Sequence, residues 1–187
     1  MTDTPPEQDP RPQLRNARSL VIVNTGNGKG KSSSAFGMMC RGVARGWNVA
    51  VLQFLKSGEW QVGEETVGRQ LGVEWHALGE GFTWDSDDLS VDKAVAAEAW
   101  AKARSVIEAG RHEMVILDEI TYLMNWGWID ADEVIRAIVN RPPDVNIIAT
   151  GRDASEALIE IADTVTEMRQ IKHAYESGIA AKRGIDY

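Results

Sequence analysis

A glycine-rich segment, set between an apolar run and a segment of helical periodicity, most constrains the fold of this 187-residue chain. Residues 20–23 (LVIV) are typical of a strand buried on both faces, and residues 32–45 place apolar side chains at helical spacing. The intervening residues 25–32 read TGNGKGKS. This strand–loop–helix order predicts a P-loop, in which backbone N–H groups and a helix N-terminus bind phosphate.

The glycines of this loop do not follow the usual P-loop spacing. Thr25 stands where the first glycine is usual, and Gly26 comes one residue later. We expect Gly26, Gly28 and Gly30 to let backbone N–H groups point at phosphate oxygens without side-chain clashes. A glycine-rich turn that binds nothing is the alternative.

The charged and hydroxyl side chains of the loop complete the predicted site. Lys31 is expected to contact phosphate oxygens and Ser32 to hold a divalent cation, while Lys29 adds a second positive charge. The predicted nucleotide-binding residues are Thr25, Gly26, Asn27, Gly28, Lys29, Gly30, Lys31, Ser32, Ser33 and Arg152.

Apolar runs and helical segments alternate along the rest of the chain. Further strands are predicted at residues 48–54, 73–77, 114–117, 145–149 and 164–168. A helix is predicted over 89–109, and two more are expected to begin at the capping pairs Asp130/Glu133 and Asp153/Glu156.

This order predicts an α/β fold of the P-loop NTPase (RecA-like) type. We expect a mostly parallel sheet of about six strands, with helices on both faces and ligands beyond the carboxyl ends of the strands. Residues 19–187 would form this single domain. Residues 1–18 are polar, with four prolines, and are expected to form a flexible N-terminal segment.

Two acidic residues follow the apolar run at 114–117. Asp118 is expected to bind a divalent cation directly or through water, with Glu119 assisting, because an acid at a strand end is the usual metal-side partner of a P-loop. Hard oxygen ligands favour Mg²⁺ and accept Mn²⁺. A carboxylate here could instead cap the following helix.

Two arginines are candidates for phosphate contacts. Arg152 follows the fifth predicted strand and so belongs to the ligand edge, whereas Arg41 lies three turns into the helix after the loop. A surface salt bridge is the alternative for each.

Composition restricts the remaining possibilities. The net charge of −8 and pI of about 4.9 argue against nonspecific nucleic-acid binding. The single cysteine, Cys40, excludes an internal disulfide, and the absence of a signal segment or long apolar run predicts a cytoplasmic protein that does not enter a membrane. Three scattered histidines lack metal-ligand spacing. A kinase, an ATPase and a nucleotide switch all remain compatible with these features.

From about residue 20 to the last residue, the chain resembles the P-loop-type corrinoid adenosyltransferases, the ATP:cob(I)alamin and cob(I)yrinic acid a,c-diamide adenosyltransferase family. The shortened glycine spacing of the loop is that family's own form. The matching segments are 25–32 (TGNGKGKS), 35–37 (AFG), 81–84 (GFTW), 115–122 (VILDEITY), 150–152 (TGR), 172–174 (KHA) and 184–187 (GIDY).

The resemblance implies transfer of the 5′-deoxyadenosyl group from ATP to cobalt(I) of a corrinoid, with release of triphosphate, in adenosylcobalamin biosynthesis or salvage. Cobalt(I) is a strong nucleophile without a proton, so no general base is required. Lys29, Lys31 and a cation on Ser32 and Asp118 would neutralise the leaving group. The resemblance also implies a homodimer and a reduced flavoprotein or other electron donor.

Two aromatic residues, Phe82 and Trp84, match family residues that contact the corrin. The resemblance implies that they form an apolar wall, which expels the lower axial ligand and favours four-coordinate cobalt. Without it, both side chains would be interpreted as aromatics that anchor a loop.

Three points remain open in the sequence. A kinase or ATPase would release orthophosphate or ADP instead of triphosphate. A nucleotide-gated regulatory module would bind ATP without turnover. The C-terminal residues 169–187 could fold over the nucleotide, as the resemblance suggests, or form a frayed end.

Overall fold

The computed structural model describes residues 14–56, 63–79 and 89–186. Six strands form one sheet, and every neighbouring pair is parallel. The strands are β1 (Val21–Thr25), β2 (Val49–Gln53), β3 (Glu74–Ala77), β4 (Met114–Asp118), β5 (Asn146–Thr150) and β6 (Thr164–Glu167). Their spatial order is β3-β2-β4-β5-β1-β6. The predicted α/β class and number of strands are therefore confirmed.

Six α-helices connect these strands within the described ranges. They are α1 (Lys31–Val43), α2 (Gly63–Gln70), α3 (Leu89–Ala109), α4 (Ile120–Asn125), α5 (Ala131–Val139) and α6 (Glu156–Glu160). The sequence did not predict α2 or α4. Only Gly68 of α2 is buried, and α4 has six residues, so neither helix has a clear apolar period.

Helix starts were predicted with mixed success. Asp130 caps α5 as expected, since its side chain accepts hydrogen bonds from the N–H groups of Asp132 and Glu133 at 2.9 and 3.4 Å. The prediction that Asp153 caps the next helix is wrong. Asp153 has a positive φ of 51°, and Ser155 caps α6 by accepting from the Leu158 N–H.

Apolar side chains cover both faces of the sheet. On one face, buried residues of the strands pack together with those of α3, α5 and α6, and on the other face they pack with those of α1. The central strands β2 and β4 are buried at every position, as strands covered on both faces must be. Helices on both faces leave the carboxyl edge of the sheet as the place where strand-end side chains meet.

No helix in the part of the chain described above is long and apolar enough to cross a membrane.

Candidate active site

The glycine-rich loop joins β1 to α1 at the carboxyl edge of the sheet. Gly30 is the N-cap of α1, with φ of 114°, and Gly26 has φ of 92°, a region that favours glycine. Because α1 begins at Lys31, the N–H groups of its first turn point toward the loop. This is the strand–loop–helix geometry that binds phosphate in P-loop proteins.

The end of β6 packs against the loop. The Gly28 N–H donates to the Met168 carbonyl oxygen at 2.6 Å, and the Met168 N–H donates to Thr25 O at 2.8 Å. A Cβ atom would lie 2.6 Å from Met168 O if placed on Gly26 and 2.8 Å if placed on Gly28. The Gly28 N–H therefore has a protein acceptor here, which differs from the expectation that it points at phosphate, and close packing explains the glycine.

Lys31 lies over the loop. Its Nζ donates to Gly28 O at 2.8 Å, while the Asn24 side chain donates to the Lys31 carbonyl oxygen at 3.2 Å. Burial, followed by the charge of Arg152, lowers the pKa of the Lys31 ammonium. The same ammonium feels Glu119 and Asp118, so the predicted phosphate-binding cation lies near the predicted metal-binding acids.

Asp118 ends β4 with no exposed surface, and both carboxylate oxygens accept hydrogen bonds. Thr150 Oγ1 donates to Oδ1 at 2.7 Å, and Gln53 Nε2 donates to Oδ2 at 3.0 Å. The next helix, α4, has Glu119 as its N-cap residue, with no side-chain cap hydrogen bond. The helix-cap interpretation of Asp118 is therefore wrong.

Glu119 adopts a left-handed conformation, with φ of 67°, which is costly for a residue with a side chain and is common at functional sites. Its N–H donates to Thr150 Oγ1 at 2.9 Å. Burial and then the charge of Asp118 raise the pKa of Glu119 to about 7, and Lys56, Lys31 and Arg152 act in the opposite direction. A partly buried acid is thus surrounded by three cations.

Arg152 follows β5 at the same edge, as predicted. Its side chain is exposed, and its carbonyl oxygen accepts from Thr121 Oγ1 at 2.7 Å. The preceding Gly151 has φ of 141°, and a Cβ there would lie 1.9 Å from Thr121 Oγ1. Within the described ranges Arg152 forms no salt bridge, so that alternative has no support in this structure.

Arg41 belongs to a different part of the molecule. It lines a groove beside α1 with Leu20, Met38 and Trp47, and not the loop. The histidines are also elsewhere. His76 and His112 each place Nε2 within 3.0 Å of the Glu74 carboxylate, and His173 caps a short 3-10 turn.

Several residues near the acids were not predicted. Lys56 follows β2, while Gln53 and Thr150 are the last residues of β2 and β5. Each is a polar residue at or just beyond the end of an apolar strand, which is the signal that revealed Asp118. Thr121, on α4, was missed because that helix was missed.

The C-terminal segment reaches the loop. Asp186 forms an ion pair with Lys29, and its Oδ2 accepts from the Lys182 N–H at 2.8 Å. Gly184 and Ile185 line a cavity of about 400 Å³ together with Ser33 and other residues of α1 and α2. These contacts favour a C-terminal segment that packs on the loop over a frayed end. Phe82 and Trp84, like the last residue of the chain, lie outside the described residues.

Comparison with known proteins places this chain in a family. The family model of "ATP:corrinoid adenosyltransferase BtuR/CobO/CobP" matches residues 17–187. The corrinoid adenosyltransferase of Escherichia coli K12 is 41% identical over 94% of this chain and 89% of its own length. The corresponding Sinorhizobium enzyme is 45% identical over 91% and 81%, and that of Pseudomonas aeruginosa 42% over 94% and 87%. The chain belongs to the ATP:corrinoid adenosyltransferase family, whose members are transferases.

Proposed function

We propose that this chain moves the 5′-deoxyadenosyl group of ATP to the cobalt(I) of a corrinoid. The cobalt(I) electron pair attacks the 5′-carbon, the carbon–oxygen bond breaks, and its electron pair leaves with triphosphate. The site fits this reaction because it concentrates cations, and no proton has to be abstracted. The observation that carries the proposal is Lys31 held over a P-loop next to Asp118 and Glu119.

The proposed ATP site is the loop with the first turn of α1. Backbone N–H groups of that turn, together with Lys29 and Lys31, would bind the phosphates, and Arg152 would add positive charge from the end of β5. Thr25 and the glycines shape the loop, and Ser33 follows Ser32 on the helix. These cations lower the free energy of a leaving group that carries several negative charges.

The donor set fits Mg²⁺, with Mn²⁺ as a substitute. Ser32, Asp118 and Glu119 offer hard oxygens, and Mg²⁺ is usually held by one or two carboxylates together with substrate phosphates. A bound Mg²⁺ would neutralise charge on the triphosphate as it leaves. Because both Asp118 oxygens already accept hydrogen bonds, Asp118 suits contact through water, and Glu119 is the less buried acid.

The corrinoid side of the proposal rests on the family resemblance at Phe82 and Trp84. An apolar wall there would expel the lower axial ligand, so that a reduced flavoprotein or other donor could reduce cobalt(II). Trp84→Ala should keep ATP binding and adenosylation of preformed cobalt(I), and lose adenosylation that starts from cobalt(II). Normal activity of the variant from cobalt(II) would contradict this role.

Three further features are proposals on the same basis. They are a homodimer, a cytoplasmic location, and a place in adenosylcobalamin biosynthesis or salvage, with a complete or precursor corrinoid as substrate. The kinase, ATPase and regulatory interpretations are not favoured by the comparisons.

An anaerobic assay tests the reaction directly. Purified protein is mixed with ATP, Mg²⁺ and chemically reduced cobalamin, and the visible spectrum is followed. We expect a light-sensitive alkylcobalamin spectrum, with one triphosphate released for each corrinoid converted. Release of ADP or orthophosphate with an unchanged corrinoid spectrum would instead favour a kinase or ATPase.

A further inference from the structure

A buried chain of hydrogen bonds connects the edge strand β3 to the acidic pair. The indole Nε1 of Trp75 donates to Gln53 Oε1 at 3.0 Å, and Gln53 Nε2 donates to Asp118 Oδ2 at 3.0 Å. The exposed fractions of Trp75, Gln53 and Asp118 are 3%, 1% and 0%. A buried network of hydrogen bonds stabilises the fold only when each of its polar groups has a partner. Loss of the group at one end therefore affects the group at the other end.

The chemistry of the three side chains fixes which group donates and which accepts in each of these hydrogen bonds. An indole N–H can only donate and an ionised carboxylate can only accept. The amide of Gln53 must therefore turn its oxygen to Trp75 and its NH₂ to Asp118, since the opposite orientation would set oxygen against oxygen. Trp75 thus fixes which end of the amide faces the acid.

The other side of Asp118 is held in the same way. Thr150 Oγ1 donates to Asp118 Oδ1 at 2.7 Å and accepts from the Glu119 N–H at 2.9 Å. The hydroxyl thus ties the Asp118 side chain to the left-handed peptide of Glu119. Neutral groups therefore hold the Asp118 side chain and the Glu119 peptide, and these hydrogen bonds do not cancel the negative charge of Asp118.

We propose that Gln53 is a positioning residue for the cation site and that Trp75 orients it. This inference rests on the proposed function, because it takes Asp118 and Glu119 as the acids that hold Mg²⁺. Without the Gln53 donor, the buried Asp118 carboxylate loses one of its two hydrogen bonds and is no longer held in one orientation. Groups that orient metal-binding residues typically change metal affinity tenfold or more when they are lost.

Two substitutions test the two hydrogen bonds of this network separately. Gln53→Leu removes the donor to Asp118. Trp75→Phe removes the indole N–H with part of the ring, and it keeps an aromatic ring beside Phe36, whose ring centroid lies 5.2 Å from that of Trp75. Val51→Ala is the matched control, because Val51 is fully buried, lies on the same strand and faces the same side of the sheet as Gln53.

The first measurement is the Mg²⁺ concentration that gives half-maximal adenosyl transfer, at saturating ATP. We expect about a tenfold increase for Gln53→Leu, a smaller increase for Trp75→Phe, and kcat at saturating Mg²⁺ within about threefold of the unchanged protein. Val51→Ala should lower thermal stability without changing the Mg²⁺ requirement. A purely structural role for Gln53 would give the same result as Val51→Ala.

The second measurement does not depend on turnover. Binding of Mn²⁺ in the presence of ATP is followed by electron paramagnetic resonance, and Gln53→Leu should weaken it about tenfold. This result would stand even if the protein transferred no adenosyl group, so the two proposals can fail separately. A folded Gln53→Leu variant with unchanged Mn²⁺ affinity would overturn the inference, as would absence of ATP-dependent Mn²⁺ binding in the unchanged protein.

Discussion

The glycine-rich loop and the acidic pair lie at the same edge of the sheet, but different contacts hold them. Backbone groups hold the loop, where Gly28 and Thr25 bond to the main chain of Met168. Buried side chains hold the acids, through Gln53 and Thr150. The conformation of the loop therefore requires glycines, because a Cβ atom would clash with the main chain of Met168. The position of the acids requires neighbouring side chains that donate hydrogen bonds.

The largest expected effect is at the cation of the loop. Lys31→Ala should lower kcat/KM for ATP by roughly a hundredfold or more, because it removes a charge that neutralises the leaving triphosphate. The rate of alkylcobalamin formation measures this change. Lys102→Ala, at an exposed position of α3, is the control and should behave as the unchanged protein. A loss below tenfold in Lys31→Ala would contradict the role of Lys31 in neutralising the leaving group.

A second comparison tests whether close packing against the main chain of Met168 is what requires glycine in the loop. Gly28→Ala should destabilise the protein by about 2–4 kcal/mol, since its Cβ would meet the Met168 carbonyl. Gly37→Ala in α1 meets nothing within 4 Å and should stabilise by about 0.5–1 kcal/mol. Chemical denaturation gives both values. Equal effects of the two substitutions would contradict the close packing of the loop on β6.

Because of the acidic pair, the free energy of unfolding should depend on pH in the absence of Mg²⁺ and ATP. The folded-state pKa of Glu119, about 7, lies above the ordinary 4.5. The folded protein thus holds this proton more tightly, and the contribution of Glu119 to stability falls as pH rises from about 4.5 to 7.

Glu119→Gln should therefore remove that fall and be more stable than the unchanged protein at pH 8, by about 3 kcal/mol. The free energy of unfolding at pH 5 and pH 8 tests this, with Glu98→Gln as the exposed control on α3. A variant less stable than the unchanged protein at pH 8 would mean that the cations around Glu119 outweigh its burial.

The smallest expected effect is at the C-terminal contact with the loop. Asp186 pairs with Lys29, which is half exposed, and we expect this carboxylate to compete with phosphate for the ammonium. Asp186→Asn should lower KM for ATP by about two- to threefold at low salt, and the difference should fade as salt is added. A higher KM would show instead that the C-terminal segment contributes to ATP binding.

The contrast between the two regions also explains what the sequence could predict. The loop could be predicted because its glycines, lysines and flanking periodicity lie within some twenty residues. Asp118 could be predicted because it ends an apolar strand. The partners of Asp118 at positions 53 and 150 are distant along the chain, and only the strand order brings them beside it. The local signs of that network were Gln53 and Thr150, two polar residues that end mainly apolar strands.

Local patterns failed where the backbone left its usual conformation. Asp153 was expected to cap a helix, but its backbone adopts a left-handed conformation, and Ser155 is the N-cap of α6. Glu119 is left-handed as well, and the short helix α4 that follows it was not predicted. Capping patterns assume ordinary backbone geometry ahead of the helix, and strand ends at a functional edge are where that assumption is weakest.

The backbone hydrogen bond between Gly28 and Met168 has a consequence for the order of folding. It joins positions 140 residues apart, and β6 is the last strand of the sheet both in sequence and at its edge. Contacts so distant in sequence close late, because the intervening chain must be ordered first. We expect the loop, although it is synthesised early, to reach its final shape only after residue 168 has been made. We therefore expect the proposed nucleotide binding to begin only once β6 has joined the sheet.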